Sequence, residues 1–167
     1  MSKSQTAKYI FLVDDEPIQN EMLKDYLSEN FDYTIKVYDN GEGAIKDLAL
    51  SPEIIVLDFH LNAHLQTAQN GIQVLQAIKQ AQPATKVIML SGQDKLEVAV
   101  DSMKFGAYDY VVKGETAFSR MGNIITNINE LLLIKDESKT LKKVILFLSI
   151  LVLAIVCLYI YMFAMGH

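Results

Sequence analysis

The sequence predicts an α/β fold, a doubly wound five-stranded parallel sheet, joined to one C-terminal transmembrane helix. Three observations predict it. Five short apolar runs alternate strictly with five stretches whose apolar residues recur at helical spacing. The runs at 9–13, 54–57 and 86–90 are almost continuously apolar, as strands buried on both faces of a parallel sheet are. Residues 144–165 contain no charged side chain.

The elements follow in order. Residues 1–8 read as a loose tail, and 9–13 as a buried strand ending in Asp14-Asp15-Glu16. Pro17 suits a first helical turn, and the helical spacing of Ile18, Met22, Tyr26 and Leu27 predicts a helix over 17–30. A weaker alternation at 33–38 predicts the second strand, and Asp39-Asn40-Gly41 a turn. Ala44, Ile45 and Leu48 mark the second helix, closed by Ser51-Pro52. The third strand, 54–57, runs into Asp58; a polar loop through Gly71 leads to a helix carrying Ile72, Val74, Leu75 and Ile78 that stops before Pro83. The fourth strand, 86–90, precedes Ser91-Gly92. The fourth helix spans 95–105, with Leu96, Ala99, Val100 and Met103 on one face and Gly106 as its cap. The fifth strand, 108–112, precedes Lys113-Gly114, and Phe118, Met121, Ile125, Ile128 and Leu132 predict a helix to about 134. Such short connections demand parallel strands with right-handed crossovers.

The 167 residues fit one ordinary domain at 9–134, a basic polar linker at 135–143 and a membrane span at 144–165. As a helix, the span is about 33 Å long at about 1.5 Å per residue, enough for a hydrocarbon core of about 30 Å. Lys135, Lys139, Lys142 and Lys143 precede it, which orients the domain toward the cytoplasmic side of a membrane crossed in a single pass. Tyr159 and Tyr161 suit an interfacial belt, and no N-terminal signal is read. The single Cys157 excludes an internal disulfide, in keeping with a reducing compartment. With Asp136, Glu137 and the four linker lysines set aside, residues 1–134 hold 11 of the 15 basic and 18 of the 20 acidic residues. That balance argues against nucleic acid as a partner.

Parallel strands end on one edge, so Asp14, Asp15, Asp58, Ser91 and Lys113 converge there. Two carboxylates about 4 Å apart repel by roughly 4 kcal/mol at an effective dielectric near 20, so three together need a cation. An all-oxygen site suits Mg²⁺. A metal with Lys113 would neutralise a transferring phosphoryl group, Ser91 would donate to one of its oxygens, and Asp58 would be the carboxylate nucleophile. Each residue has a plainer explanation alone: the acidic run as a helix cap, Asp58 and Ser91-Gly92 as turn formers, Lys113 as a solvated strand end. Their order after strands one, three, four and five makes coincidence improbable.

Val13-Asp14-Asp15-Glu16-Pro17, Val56-Leu57-Asp58, Met89-Leu90-Ser91-Gly92 and Tyr108-Asp109-Tyr110-Val111-Val112-Lys113 resemble the receiver domain of bacterial response regulators over about residues 8–134. The resemblance implies a flavodoxin-like sheet of strand order 2-1-3-4-5. It implies that Asp58 takes a phosphoryl group from a sensor histidine kinase or a phosphotransfer protein in a Mg²⁺-dependent phosphorelay. The receiver would catalyse its own phosphorylation and dephosphorylation. Asp14, Asp15, Asp58 and the carbonyl of His60 match the metal contacts, Ser91 and Lys113 the phosphoryl contacts, and Ser91 with Tyr110 the switch pair. His60 and Gln93 match positions that tune the phosphoaspartate lifetime. Gly114 stands where the family often has proline, and the loop 58–71 is longer than usual and lacks the common Met-Pro pair.

No output domain is read after the receiver. The expectation is a membrane-tethered response regulator that switches the face made by its fourth helix, fifth strand and fifth helix, with homodimerisation through that face possible. The alternative is a non-switching, membrane-anchored interaction module. A metal-dependent phosphatase would need a second acid where His60 stands.

Overall fold

The computed structural model of the chain describes residues 7–61, 70–92 and 96–165. Five strands form one sheet: β1 (Tyr9–Val13), β2 (Thr34–Tyr38), β3 (Ile54–Asp58), β4 (Lys86–Ser91) and β5 (Asp109–Val112). All neighbours pair in parallel, in the order β2-β1-β3-β4-β5. Between them lie α1 (Pro17–Asn30), α2 (Gly41–Lys46) with a 3-10 turn (Asp47–Leu50), α3 (Gly71–Ala81) and α4 (Leu96–Lys104), and α5 (Ala117–Met165) closes the chain.

The burial of each strand follows its place. All five residues of the central β3 are buried, whereas the edge strand β2 is half-exposed. Alternation sorts the strand residues: Phe11, Val13, Ile55, Leu57, Val87 and Met89 join Ala44, Leu48, Val74, Leu75 and Ile78 in one cluster. Their neighbours Ile10, Leu12, Ile54, Val56 and Ile88 point the other way and are equally buried. The chain winds outward from β1 to β2, then returns past β1 to β3. The carboxyl ends of β1 and β3 therefore lie side by side at the point where winding reverses, which is where open α/β sheets form a crevice.

Two helices turn a different face inward from the one their apolar spacing predicts. In α1, Ile18 is 76% exposed and Met22 also faces solvent, while Asn20, Leu23 and Leu27 are buried. The Asn20 side chain sets this phase by donating from Nδ2 to the Asp14 carbonyl at 2.6 Å. In α4, Leu96 is 77% exposed and Val100 and Met103 are exposed with it. Of the expected face only Ala99 packs on the core, joined by Val98 and the buried Ser102. Ser102 satisfies its hydroxyl on the Val98 carbonyl at 2.8 Å, so a small polar side chain takes the tight position against the sheet. Met103→Lys should therefore shift the unfolding midpoint by less than about 0.5 kcal/mol in urea titration, whereas Ser102→Leu should cost about 1–3 kcal/mol by overpacking.

Caps explain two boundaries that apolar spacing leaves open. Asn40, in the predicted turn, accepts from Gly43 N–H at 2.8 Å and opens α2, so Gly41 is already helical. Asn70 and Gln73 form a reciprocal capping box at the start of α3. Gly106 ends α4 at φ 93, a backbone state natural only to glycine.

Two compact units divide between Ile125 and Thr126. Within the second, residues 135–143 are helical and belong to α5. Every described side chain in 144–165 is exposed, and this helix is long and apolar enough to cross a membrane.

Candidate functional site

The site forms at the carboxyl edge of β1, β3, β4 and β5, built by backbone that fixes each side chain. Asp14 follows β1 and is buried. Its N–H donates to the Tyr38 carbonyl, its carbonyl is held by Asn20, and its Oδ1 accepts from Glu16 N–H at 2.9 Å. Asp58 closes β3 at 3% exposure, in register with Leu90, and its Oδ2 accepts from His60 N–H at 2.9 Å. Ser91 is fully buried at the end of β4, and its carbonyl accepts from Lys113 N–H at 2.7 Å. That bond places the lysine side chain over the edge.

Lys113 is the hub. Its Nζ lies 2.9 Å from Asp14 Oδ2, 3.1 Å from Asp58 Oδ1 and 3.3 Å from Glu16 Oε1. Its side chain is only 16% exposed. Burial opposes its charge, but Asp14 and Asp58 outweigh that and hold the ammonium above the ordinary lysine range. Burial first, then the charge of Asp14, pushes the Asp58 carboxyl above its ordinary value, with Lys113 and the His60 N–H pulling against them.

The three acids Asp14, Asp15 and Asp58 each offer an oxygen, all within 4.8 Å of one another. Asp14 Oδ2 and Asp58 Oδ1 are both buried, and each faces the Lys113 ammonium at ion-pair distance. Two buried carboxylate oxygens that share one ammonium, beside a third acid, fit a hard divalent cation such as Mg²⁺.

The structure thus brings Asp14, Asp15, Asp58, Ser91 and Lys113 to one edge. His60 reaches the site through its backbone N–H, and its ring packs edge-on to Phe59 at 4.9 Å. Its Nε2 finds no partner among the described residues. Tyr110 is buried in the core cluster. Gln93 lies outside the described residues. Gly114 takes no positive φ and has open space where a side chain would stand.

Three contributions are not assigned by the motifs. Asn20 anchors Asp14, Glu16 is a third carboxylate on Lys113, and Gly71 packs against the Asp58 carbonyl. For Asn20 a signal exists: it is the polar member of a stripe with Leu23 and Leu27 at steps of three and four.

The raised Asp58 carboxyl carries a stability consequence. Its folded form binds its proton more tightly than the unfolded chain does, so ionising it costs stability as pH rises through the folded value. Asp58→Asn should therefore stabilise the fold at pH 7 by about 1–2 kcal/mol in calorimetry, and the gain should fade as pH falls toward about 3.9.

Residues 10–125 match the family described as response regulator receiver domain. The nitrogen assimilation regulatory protein NtrX of Azorhizobium caulinodans is 32% identical over 138 residues, covering 82% of this chain and 29% of that protein. The chemotaxis protein CheY of Bacillus subtilis is 30% identical, covering 64% of this chain and 86% of that protein. The crystal structure of NtrX from Brucella abortus superposes with a TM-score of 0.69 at 27% identity, over 82% of this chain and 30% of that one. The chain spans less than a third of the NtrX-type regulators. With the acids, hydroxyl and lysine of its motifs gathered on a β2-β1-β3-β4-β5 sheet, the chain belongs to the response regulator receiver family.

Proposed function

We propose that the chain is a membrane-tethered response regulator whose Asp58 accepts a phosphoryl group from a histidine kinase or a phosphotransfer protein. The observation that carries this reading is the Lys113 ammonium set between Asp14 and Asp58, within a three-acid cluster. An Asp58 carboxylate oxygen attacks phosphorus, a P–O bond forms, the P–N bond of the donor phosphohistidine breaks, and the leaving imidazole keeps the electron pair. Mg²⁺, held by Asp14, Asp15, Asp58 and the His60 carbonyl, would offset charge on the phosphoryl oxygens. The His60 N–H orients the Asp58 carboxylate before attack. Lys113 already lies at the acceptor, so its ammonium follows the new charge onto the phosphoryl group, where Ser91 donates as well. His60 and Gln93 set how long the phosphoaspartate lasts.

Ser91 and Tyr110, both buried, are the pair that would move when the ammonium shifts. The exposed apolar stripe Leu96, Val100 and Met103 supports α4, β5 and α5 as the face a partner reads, a second copy included. For the tether, support comes from the exposed apolar run 144–165 and the lysines before it, which orient the receiver toward the cytoplasm at the inner membrane.

The test uses the full chain in detergent with a small acyl phosphate, with and without Mg²⁺, followed by intact mass. One phosphoryl group should be gained with Mg²⁺ and none by Asp58→Asn. No gain in a folded parent would instead favour a non-switching interaction module.

A further inference from the structure

The stretch of α5 between the buried Ile128 and the start of the apolar run at Val144 is helical and carries an apolar seam that nothing in its own unit covers. Leu131, Ile134, Ser138, Leu141, Ile145 and Leu148 recur at steps of three and four. Leu131 is 49% exposed, Ile134 63% and Leu141 61%. That spacing is the heptad seam of two supercoiled helices, with Leu131 and Ser138 at a positions and Ile134 and Leu141 at d. The seam begins before the apolar run, in a segment rich in charge, so lipid contact does not account for it.

The charges beside the seam say what covers it. In this frame Glu130 and Glu137 occupy g, and Lys135 and Lys142 occupy e. None of the four has an opposite charge three or four residues away on its own helix. The ion pairs among the described residues all lie elsewhere. In a parallel pair of helices each g residue meets the e residue five positions later on its partner. Glu130 then meets Lys135 of a second copy, and Glu137 meets Lys142 of a second copy. Antiparallel pairing would set Glu against Glu and Lys against Lys. We infer that two copies of this chain pair in parallel through residues 130–148 of α5, with the Leu131–Ile134–Ser138–Leu141 seam as the contact and the Glu–Lys pairs fixing direction and register.

The pairing uses none of the groups at Asp58. It is short, and the tether proposed above strengthens it by holding copies in one plane and one orientation. Cys157 falls at an f position in the same frame, directed away from the seam. The native thiol is therefore not part of the proposed contact.

The test is oxidative cross-linking of the full chain in a Cys157→Ala background, in lipid vesicles and in detergent micelles. Single cysteines are placed at the seam by Ser138→Cys and off it by Asp136→Cys and Thr140→Cys. The seam position should cross-link at least about fivefold more than the other two, as knobs at a positions face each other. Glu130→Lys with Glu137→Lys should lose the Ser138→Cys cross-link, and so should Lys135→Glu with Lys142→Glu. An equal mixture of those two proteins should regain it as the mixed dimer. Equal cross-linking at all three positions, indifference to charge reversal, or a product larger than a dimer overturns the inference. Flotation of the same vesicles reads the tether separately, and a failure to float leaves the micelle result to decide the pairing.

Discussion

Replacing Lys113 with methionine is expected to destabilise the fold by about 2–3 kcal/mol at pH 7, because it strands two buried carboxylates. The ammonium lies 2.9 Å from Asp14 and 3.1 Å from Asp58, both almost fully buried, and methionine of similar length leaves them facing each other. In calorimetry this is a fall of roughly 10 °C in Tm for a domain of this size. Mg²⁺ should recover more of the loss in Lys113→Met than it adds to the parent, since a cation at the three acids restores the missing charge. Phosphorylation should slow as well, the variant having no ammonium to meet the phosphoryl oxygens. A variant as stable as the parent in Mg²⁺-free buffer would show that Lys113 does not compensate the acids.

The pH dependence has a definite sign. The folded lysine is held above its ordinary value, so its stabilisation is complete below about pH 10.4 and is lost as pH rises through the folded value. Asp58 is also raised, and removing Lys113 takes away a group that pulls it down. As pH falls, the variant's Asp58 takes its proton first and no longer needs a cation. The gap between parent and variant should therefore be widest near neutrality and narrow toward about pH 4.

Strands and site were legible in the sequence for one reason. A central parallel strand must be apolar on both faces, so Ile54-Ile55-Val56-Leu57 stands out, and whatever follows it lands on the ligand edge. The phases of α1 and α4 were not legible. Both helices carry apolar residues on two faces, and the inward choice rests on Asn20 and Ser102, whose polar atoms are satisfied by carbonyls that hydropathy does not register. Residues 135–143 read as a linker by composition but continue the fifth helix into the span, since Lys, Glu and Leu are good helix formers that need no core. The role of Glu16 on Lys113 joins residues 97 positions apart and follows only from the strand order.

Gly71→Ala is expected to cost about 1–2 kcal/mol, against the usual gain from alanine in a helix. Gly71 opens α3, and its N–H donates to the Phe59 carbonyl at 3.2 Å. A Cβ there would run into the Asp58 carbonyl oxygen and lie 2.8 Å from Phe59 Cα and 2.9 Å from the Phe59 carbonyl oxygen. These are backbone atoms of the strand end, so no side-chain rotation relieves the contact. The backbone of Gly71 is not left-handed, which leaves steric contact as the whole cause. Relief requires moving the start of α3 away from β3, and the acceptor moves with it, so the initial rate of phosphorylation from an acyl phosphate should fall about tenfold. Gly92 is the control: it also lies at the site edge, but a Cβ there meets nothing within 4 Å, so Gly92→Ala should stay within about 0.5 kcal/mol of the parent. Equal losses in the two variants would point to backbone freedom rather than to the β3–α3 contact. An unchanged Gly71→Ala would mean that α3 does not press on the Asp58 carbonyl.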